Sequence, residues 1–133
     1  MRTHRILILV TEKDGVIKEV ASYFSDLKGC EVVFIQSGLE AIDIVKKSPP
    51  DIIIMDLLLQ KLDGIRVCRI LKKNKTTSNI PIIILTLVQA KKRSLEAGAD
   101  VFILKPVRSA DLIDIISNIL LKQGVNKVGE TAI

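Results

Sequence analysis

The 133-residue chain has no tryptophan, one tyrosine and three phenylalanines, so aromatic rings make up only 3% of it. That scarcity leaves Ile, Leu and Val to build the core. It also excludes base-stacking nucleic-acid platforms and aromatic ligand cages, both of which need rings. Cysteine is equally scarce: Cys30 and Cys68 are too few and too far apart for a disulfide framework. With His4 as the single histidine, no Cys/His zinc site can be assembled. Long apolar runs are missing too. The longest, Ile52 to Leu59, is broken by Asp56 and falls well short of a membrane span. Ile6 to Val10 is too short for a secretory signal, and no small-residue cleavage site follows it. These absences point to a soluble cytoplasmic protein without a membrane segment.

What is present is a length suited to one domain and an apolar fraction of 48%, ordinary for a packed globule. Five short apolar runs recur along it: Arg5 to Val10, Glu31 to Ile35, Asp51 to Asp56, Ile80 to Leu85 and Val101 to Leu104. Most are β-branched and apolar at consecutive positions, the pattern of strands covered on both faces. Glu31 to Ile35 is the least continuous and is placed nearer an edge.

Amphipathic stretches lie between the runs. Val16, Val20, Tyr23, Phe24 and Leu27 step by three and four, with Gly29 as a stop signal. Leu39, Ile42 and Val45 form a second stripe, and Ile65, Cys68 and Leu71 a third. Gln89 to Ala97 reads as a short fourth helix ended by Gly98. Leu112, Ile115, Ile116, Ile119 and Leu120 form the last, with Ser109 or Ala110 near its N-cap. Five βα units in a row predict an α/β fold, a doubly wound five-stranded parallel sheet with helices on both faces. Residues 1–123 are assigned to this domain and 124–133 to a polar tail or the start of a linker.

In such sheets ligands bind at the carboxyl ends of the strands, which directs attention to Thr11, Glu12, Asp56, Thr86 and Lys105. Asp56 closes an apolar run, where a carboxylate is costly unless paired, hydrogen-bonded or bound to a cation. A capping or Asx-turn role would be the structural use of such an Asp. With Thr86 and Lys105 it supplies a carboxylate, a hydroxyl and an ammonium at one sheet edge, a set suited to a phosphoryl group. There is no Gly-rich phosphate loop and no Gly-x-Ser-x-Gly elbow.

The segments Pro50 to Lys72, Ile80 to Thr86 and Leu95 to Val107 together resemble the response-regulator receiver domains of the CheY-like superfamily, from Arg5 to about Gln123. The resemblance implies a (βα)5 fold with strand order 2-1-3-4-5. Asp56 would be the phosphoacceptor for a sensor histidine kinase or phosphotransfer protein, forming an acyl phosphate. Thr86 would donate to a phosphoryl oxygen and Lys105 would neutralise its charge. The Lys105–Pro106 bond would be cis, and Phe102 would stand at the aromatic switch position coupled to Thr86. Mg²⁺ would be held by Glu12, Asp56 and the backbone carbonyl of Leu58. The protein would be no enzyme beyond slow autodephosphorylation. Its output would pass to a downstream effector protein or domain, or to a homodimer formed through the fourth helix, fifth strand and fifth helix.

Four departures stand out. The family carries two adjacent acids after the first strand, whereas this chain reads Val10-Thr11-Glu12-Lys13-Asp14. Either Thr11 replaces the first acid and Glu12 is the second, or Glu12 is the first and Lys13 follows. The acidic pair is therefore incomplete. Leu87 follows the switch Thr where a small residue is usual, narrowing the approach to Asp56. Gln60 replaces a common Pro, and the stretch from Thr86 to Lys105 is about three residues short, most of one helical turn. A second function class thus stands beside the first: a degenerate receiver acting as a phosphorylation-independent interaction module. The net charge of +5 gathers mainly at helix ends, where it complements helix dipoles. Lys91, Lys92 and Arg93 form the best surface for an acidic partner, and no DNA-reading motif is present.

Overall fold

The structure, a computed structural model, describes residues 4–131, with side chains as far as Gln123. The elements alternate strictly: β1 (His4–Leu9), α1 (Gly15–Ser25), β2 (Cys30–Ile35), α2 (Gly38–Lys47), β3 (Ile52–Met55), α3 (Gly64–Lys73), β4 (Ile82–Thr86), α4 (Lys91–Glu96), β5 (Val101–Leu104) and α5 (Ser109–Thr131). All strand pairings are parallel, in the order β2-β1-β3-β4-β5. This is the doubly wound sheet and strand order expected, with β2 on an edge. β5 forms the other edge.

The unbroken apolar runs follow from coverage of both sheet faces. On one face Ile6, Ile8, Ile52, Ile54, Ile83 and Leu85 pack with Ile17, Val20 and Phe24 of α1 and Leu112, Ile116 and Leu120 of α5. On the other, Leu7, Leu9, Ile53, Met55, Ile82 and Ile84 meet Ala41 and Val45 of α2 and Val67, Cys68 and Leu71 of α3. Each fully buried aliphatic side chain contributes about 2 kcal/mol, so a core this rich in Ile and Leu needs few rings.

Three helices are capped by local side chains. Asp14, Ser37 and Asp63 accept the amides of Ile17, Glu40 and Arg66. A Cβ at Gly64 would lie 2.6 Å from the Asp56 carbonyl oxygen, so only glycine lets α3 start against the strand end that carries Asp56.

Several local expectations change. α1 ends at Ser25, four residues before Gly29, which instead uses a φ of 85° to turn the chain into β2. Leu27 lies beyond the helix and is exposed, and Tyr23, within it, faces solvent because the buried stripe is Ile17, Val20, Ala21 and Phe24. Leu39 is likewise exposed, with Ala41 buried in α2. Ser109 is the first helical residue of α5, and its hydroxyl donates to Glu19 at 2.6 Å, tying α5 to α1. α4 is only six residues long and has no side-chain cap. The backbone of α5 continues helically through the expected tail as far as Thr131, and residues 132 and 133 lie outside those described.

Candidate functional site

The strand order puts the ends of β3, β4 and β5 side by side, and with them Asp56, Thr86 and Lys105. Asp56 follows β3 directly, its amide donating to the Leu9 carbonyl at 3.0 Å. Its carboxylate is largely buried. Oδ1 accepts the Thr86 hydroxyl at 2.7 Å and the Leu58 amide at 3.2 Å. Oδ2 faces the Lys105 ammonium at 3.7 Å. Thr86 is the last residue of β4 and is fully buried; its Oγ1 also accepts the Val88 amide at 3.3 Å. The Lys105 amide donates to the Thr86 carbonyl at 2.8 Å, and the Lys105–Pro106 peptide is cis.

The carboxylate, hydroxyl and ammonium singled out in the sequence are thus one constellation. Asp56 and Lys105 line a cavity of about 600 Å³ shared with Thr11, Glu12, Asp14, Leu58 and Leu87, and the buried Thr86 hydroxyl supports Asp56 from behind it. Leu58 and Leu87 are 60% and 69% exposed, so the mouth of a charged site carries an apolar rim.

Asp14 is the member that sequence reasoning missed. Its Oδ2 lies 3.0 Å from Lys105 Nζ, closer than Asp56 does, while Oδ1 accepts the Ile17 amide at 2.9 Å. Burial pushes the Asp14 carboxyl up, but hydrogen bonds from Ile17 and Lys105 and the lysine's charge outweigh it. The net result is a carboxyl held below its ordinary value. The available signal was local: an Asp directly ahead of the α1 pattern is a helix cap, and a cap at the carboxyl edge of the sheet faces the site.

The strand register sets what stands beside Asp56. The β1–β3 register runs to Leu9 opposite Met55, so the residue level with Asp56 is Val10, followed by Thr11. Glu12 lies further along, exposed at the cavity rim. Lys13 turns away, its ammonium 4.0 Å from the centre of the Phe34 ring.

Phe102 on β5 pairs in register with Ile84 of β4 and is partly buried against the α2–α3 side of the core. It borders a second cleft, of about 440 Å³, with Gln89, Lys91 and Leu104. Cys68 is buried and hydrogen-bonded to the Ala97 carbonyl, and burial pushes its thiol up to about 11.

With this geometry in view, the family relationship is direct. Residues 7–117 match the family model described as the response regulator receiver domain. The chain belongs to the response regulator receiver domain family. Among curated proteins it is similar to the response regulator MprA of Mycobacterium sp. (strain KMS), 32% identical over 111 residues, which cover 81% of this chain and 47% of that protein. The receiver thus spans about half the length of the curated relatives it matches. Among solved structures it is similar to the signal receiver domain of a signal transduction histidine kinase from Syntrophus aciditrophicus. That likeness has 32% identity and a TM-score of 0.75, covering 90% of this chain and 92% of that one. The Mn²⁺-bound form of response regulator Rcp1 shares the fold, with a TM-score of 0.69 and 22% identity over 86% of this chain and 90% of that one.

Receiver domains are typically phosphoacceptors and commonly bind Mg²⁺. The donor set of this receiver does not fit that ion. At the level of Asp56, β1 offers Val10, which has no side-chain donor, and Thr11, and the expected ligand Glu12 stands exposed at the cavity rim. Asp14 is already committed to an amide and an ammonium. Among the described residues no three or more His, Cys, Asp or Glu side chains are gathered into a group. Mg²⁺ demands near-octahedral oxygen donors, and a cation reaching Asp56 Oδ2 would have to compete with the Lys105 ammonium already facing it. Among the described residues no helix is long and apolar enough to cross a membrane.

Proposed function

We propose that this receiver accepts a phosphoryl group on Asp56 from a histidine kinase or phosphotransfer protein and that the modification switches a protein-interaction surface. One observation carries the reading: Thr86 and Lys105 engage opposite oxygens of the same strand-end carboxylate, at 2.7 Å and 3.7 Å. Oδ1 already accepts two hydrogen bonds, which leaves Oδ2 as the attacking oxygen. It forms a bond to phosphorus as the phosphorus–nitrogen bond of the donor's phosphohistidine breaks. The electron pair stays on the imidazole nitrogen, which takes up a proton from solvent. Lys105 neutralises charge gathering on the phosphoryl oxygens.

The readout runs through Thr86. Its hydroxyl holds Asp56, and its Oγ1 holds the Val88 amide, so turning the hydroxyl toward a phosphoryl oxygen pulls on the loop before α4. Leu104, paired with Thr86, and Phe102 two residues earlier would pass the change to α4 and β5, where Leu95 and Leu104 are exposed. An effector, or a second copy using the α4, β5 and α5 face, would read it there.

The second reading, a phosphorylation-independent interaction module, is favoured by the incomplete acid pair and by Val10 and Thr11, neither acidic, standing beside Asp56 at the end of β1. Intact-mass measurement with a small-molecule phosphodonor separates the two. A single phosphoryl adduct on wild type, absent in Asp56→Asn, supports the first. No adduct on wild type, with the variant indistinguishable, supports the second.

A further inference from the structure

The poor fit of this site to Mg²⁺ comes with an internal replacement. Lys105 Nζ stands between two carboxylates that come from different parts of the chain, Asp14 ahead of α1 and Asp56 after β3. Its side chain is only 19% exposed, so the ammonium is part of the site rather than a mobile surface charge. Asp14 is anchored by the Ile17 amide, which fixes one end of the bridge to the N-terminus of α1. The Lys105 amide is bonded to Thr86, which fixes the other end to β4. No equivalent cation comes from the β1–α1 loop, since Lys13 lies over Phe34.

We infer that Lys105, held between Asp14 and Asp56, is the resident cation of this site and occupies the place a divalent metal would take. The part of this inference that concerns phosphorylation rests on the reading above; the part that concerns metal binding does not. Asp14 is then a positioning residue. It holds the ammonium beside Asp56 before any phosphoryl group arrives, and both carboxylates that face Lys105 are engaged by it, while Glu12 stays exposed at the cavity rim.

The test is a magnesium chloride titration of the full chain, followed by amide shifts of residues 10–14, 56–58 and 86–88. Wild type is expected to show no saturable change into the tens of millimolar. Lys105→Met, which leaves Asp14 and Asp56 without their ammonium, should gain saturable Mg²⁺ binding about tenfold tighter or more, because an ammonium no longer competes for the same oxygens. Lys105→Gln, which keeps a hydrogen-bond donor without the charge, should behave the same way and guards against a misfolded methionine variant. Adding Asp14→Asn to either should abolish the gain.

In parallel, phosphodonor labelling of wild type should proceed in EDTA within about twofold of its rate in Mg²⁺, as expected when charge neutralisation is supplied by a fixed side chain. Saturable low-millimolar Mg²⁺ binding by wild type, labelling that needs Mg²⁺, or lysine variants that bind no better than wild type would each overturn the inference. If wild type is labelled in neither medium while the lysine variants gain Mg²⁺, the proposed function fails and the assignment of Lys105 stands.

Discussion

Lys105 and Asp14, 91 residues apart, meet at 3.0 Å, closer than the 3.7 Å that separates Lys105 from Asp56. The bridge joins the start of α1 to the loop after β5 across the mouth of the site, and it sets the first expectation below.

The Asp14 carboxyl is held below its ordinary value of 3.8 in the fold. A group lowered in this way stabilises the fold above its unfolded value and loses that contribution as pH falls through the folded one. Asn caps a helix about as well as Asp, so Asp14→Asn isolates the charge. In urea denaturation the variant should be less stable than wild type at pH 7, by up to about 1 kcal/mol for a pair whose carboxylate is 43% exposed. The gap should close as pH drops below 3.8. A gap that persists undiminished in acid would mean the bridge contributes nothing electrostatic.

Leu87 stands 69% exposed at the mouth of the Asp56 cavity, where a leucine limits the approach of hydrolytic water. Once labelled, wild type should keep its phosphoryl group several-fold longer than Leu87→Ala, followed by intact mass after removal of the donor. Equal lifetimes would show that Leu87 only extends the strand end.

Away from the site, Lys72 is a structural clamp. Its ammonium donates to the carbonyls of Ser78 and Ile80 and to Asp100 Oδ2 at 2.8–3.2 Å, and that same oxygen accepts the Ile82 amide. One side chain thus joins α3, the start of β4 and the turn into β5. Lys72→Met leaves three acceptors short of a donor and should cost about 2–3 kcal/mol in equilibrium unfolding, without abolishing labelling of Asp56. A loss under about 0.5 kcal/mol would place Lys72 among ordinary surface charges.

The sheet was legible because its strands are short, β-branched and apolar at successive positions, and because Asp56, Thr86 and Lys105 are chemically odd residues for strand ends. What local pattern could not reveal was register. The residue that stands level with Asp56 is set by how β1 pairs with β3, and that pairing brings in Val10 rather than Glu12. The role of Asp14 was hidden for the same reason: its partner lies 91 residues away. Leu27 fits an apolar stripe by spacing, yet α1 stops at Ser25 and Leu27 is exposed, since periodicity does not say where a helix ends; Tyr23 is within α1 but falls on the solvent face beside the buried Phe24.

The central claim is that a phosphoryl group on Asp56 changes the α4–β5 face through Thr86. The most direct measurement is the amide spectrum of the full chain before and after treatment with a small-molecule phosphodonor, with Asp56→Asn treated alongside. The account predicts a phosphoryl adduct accompanied by shifts at Thr86, Val88, Phe102 and Leu104, and none of these in the variant. Absence of the adduct, or an adduct whose shifts stay confined to residues 56–58, would contradict it.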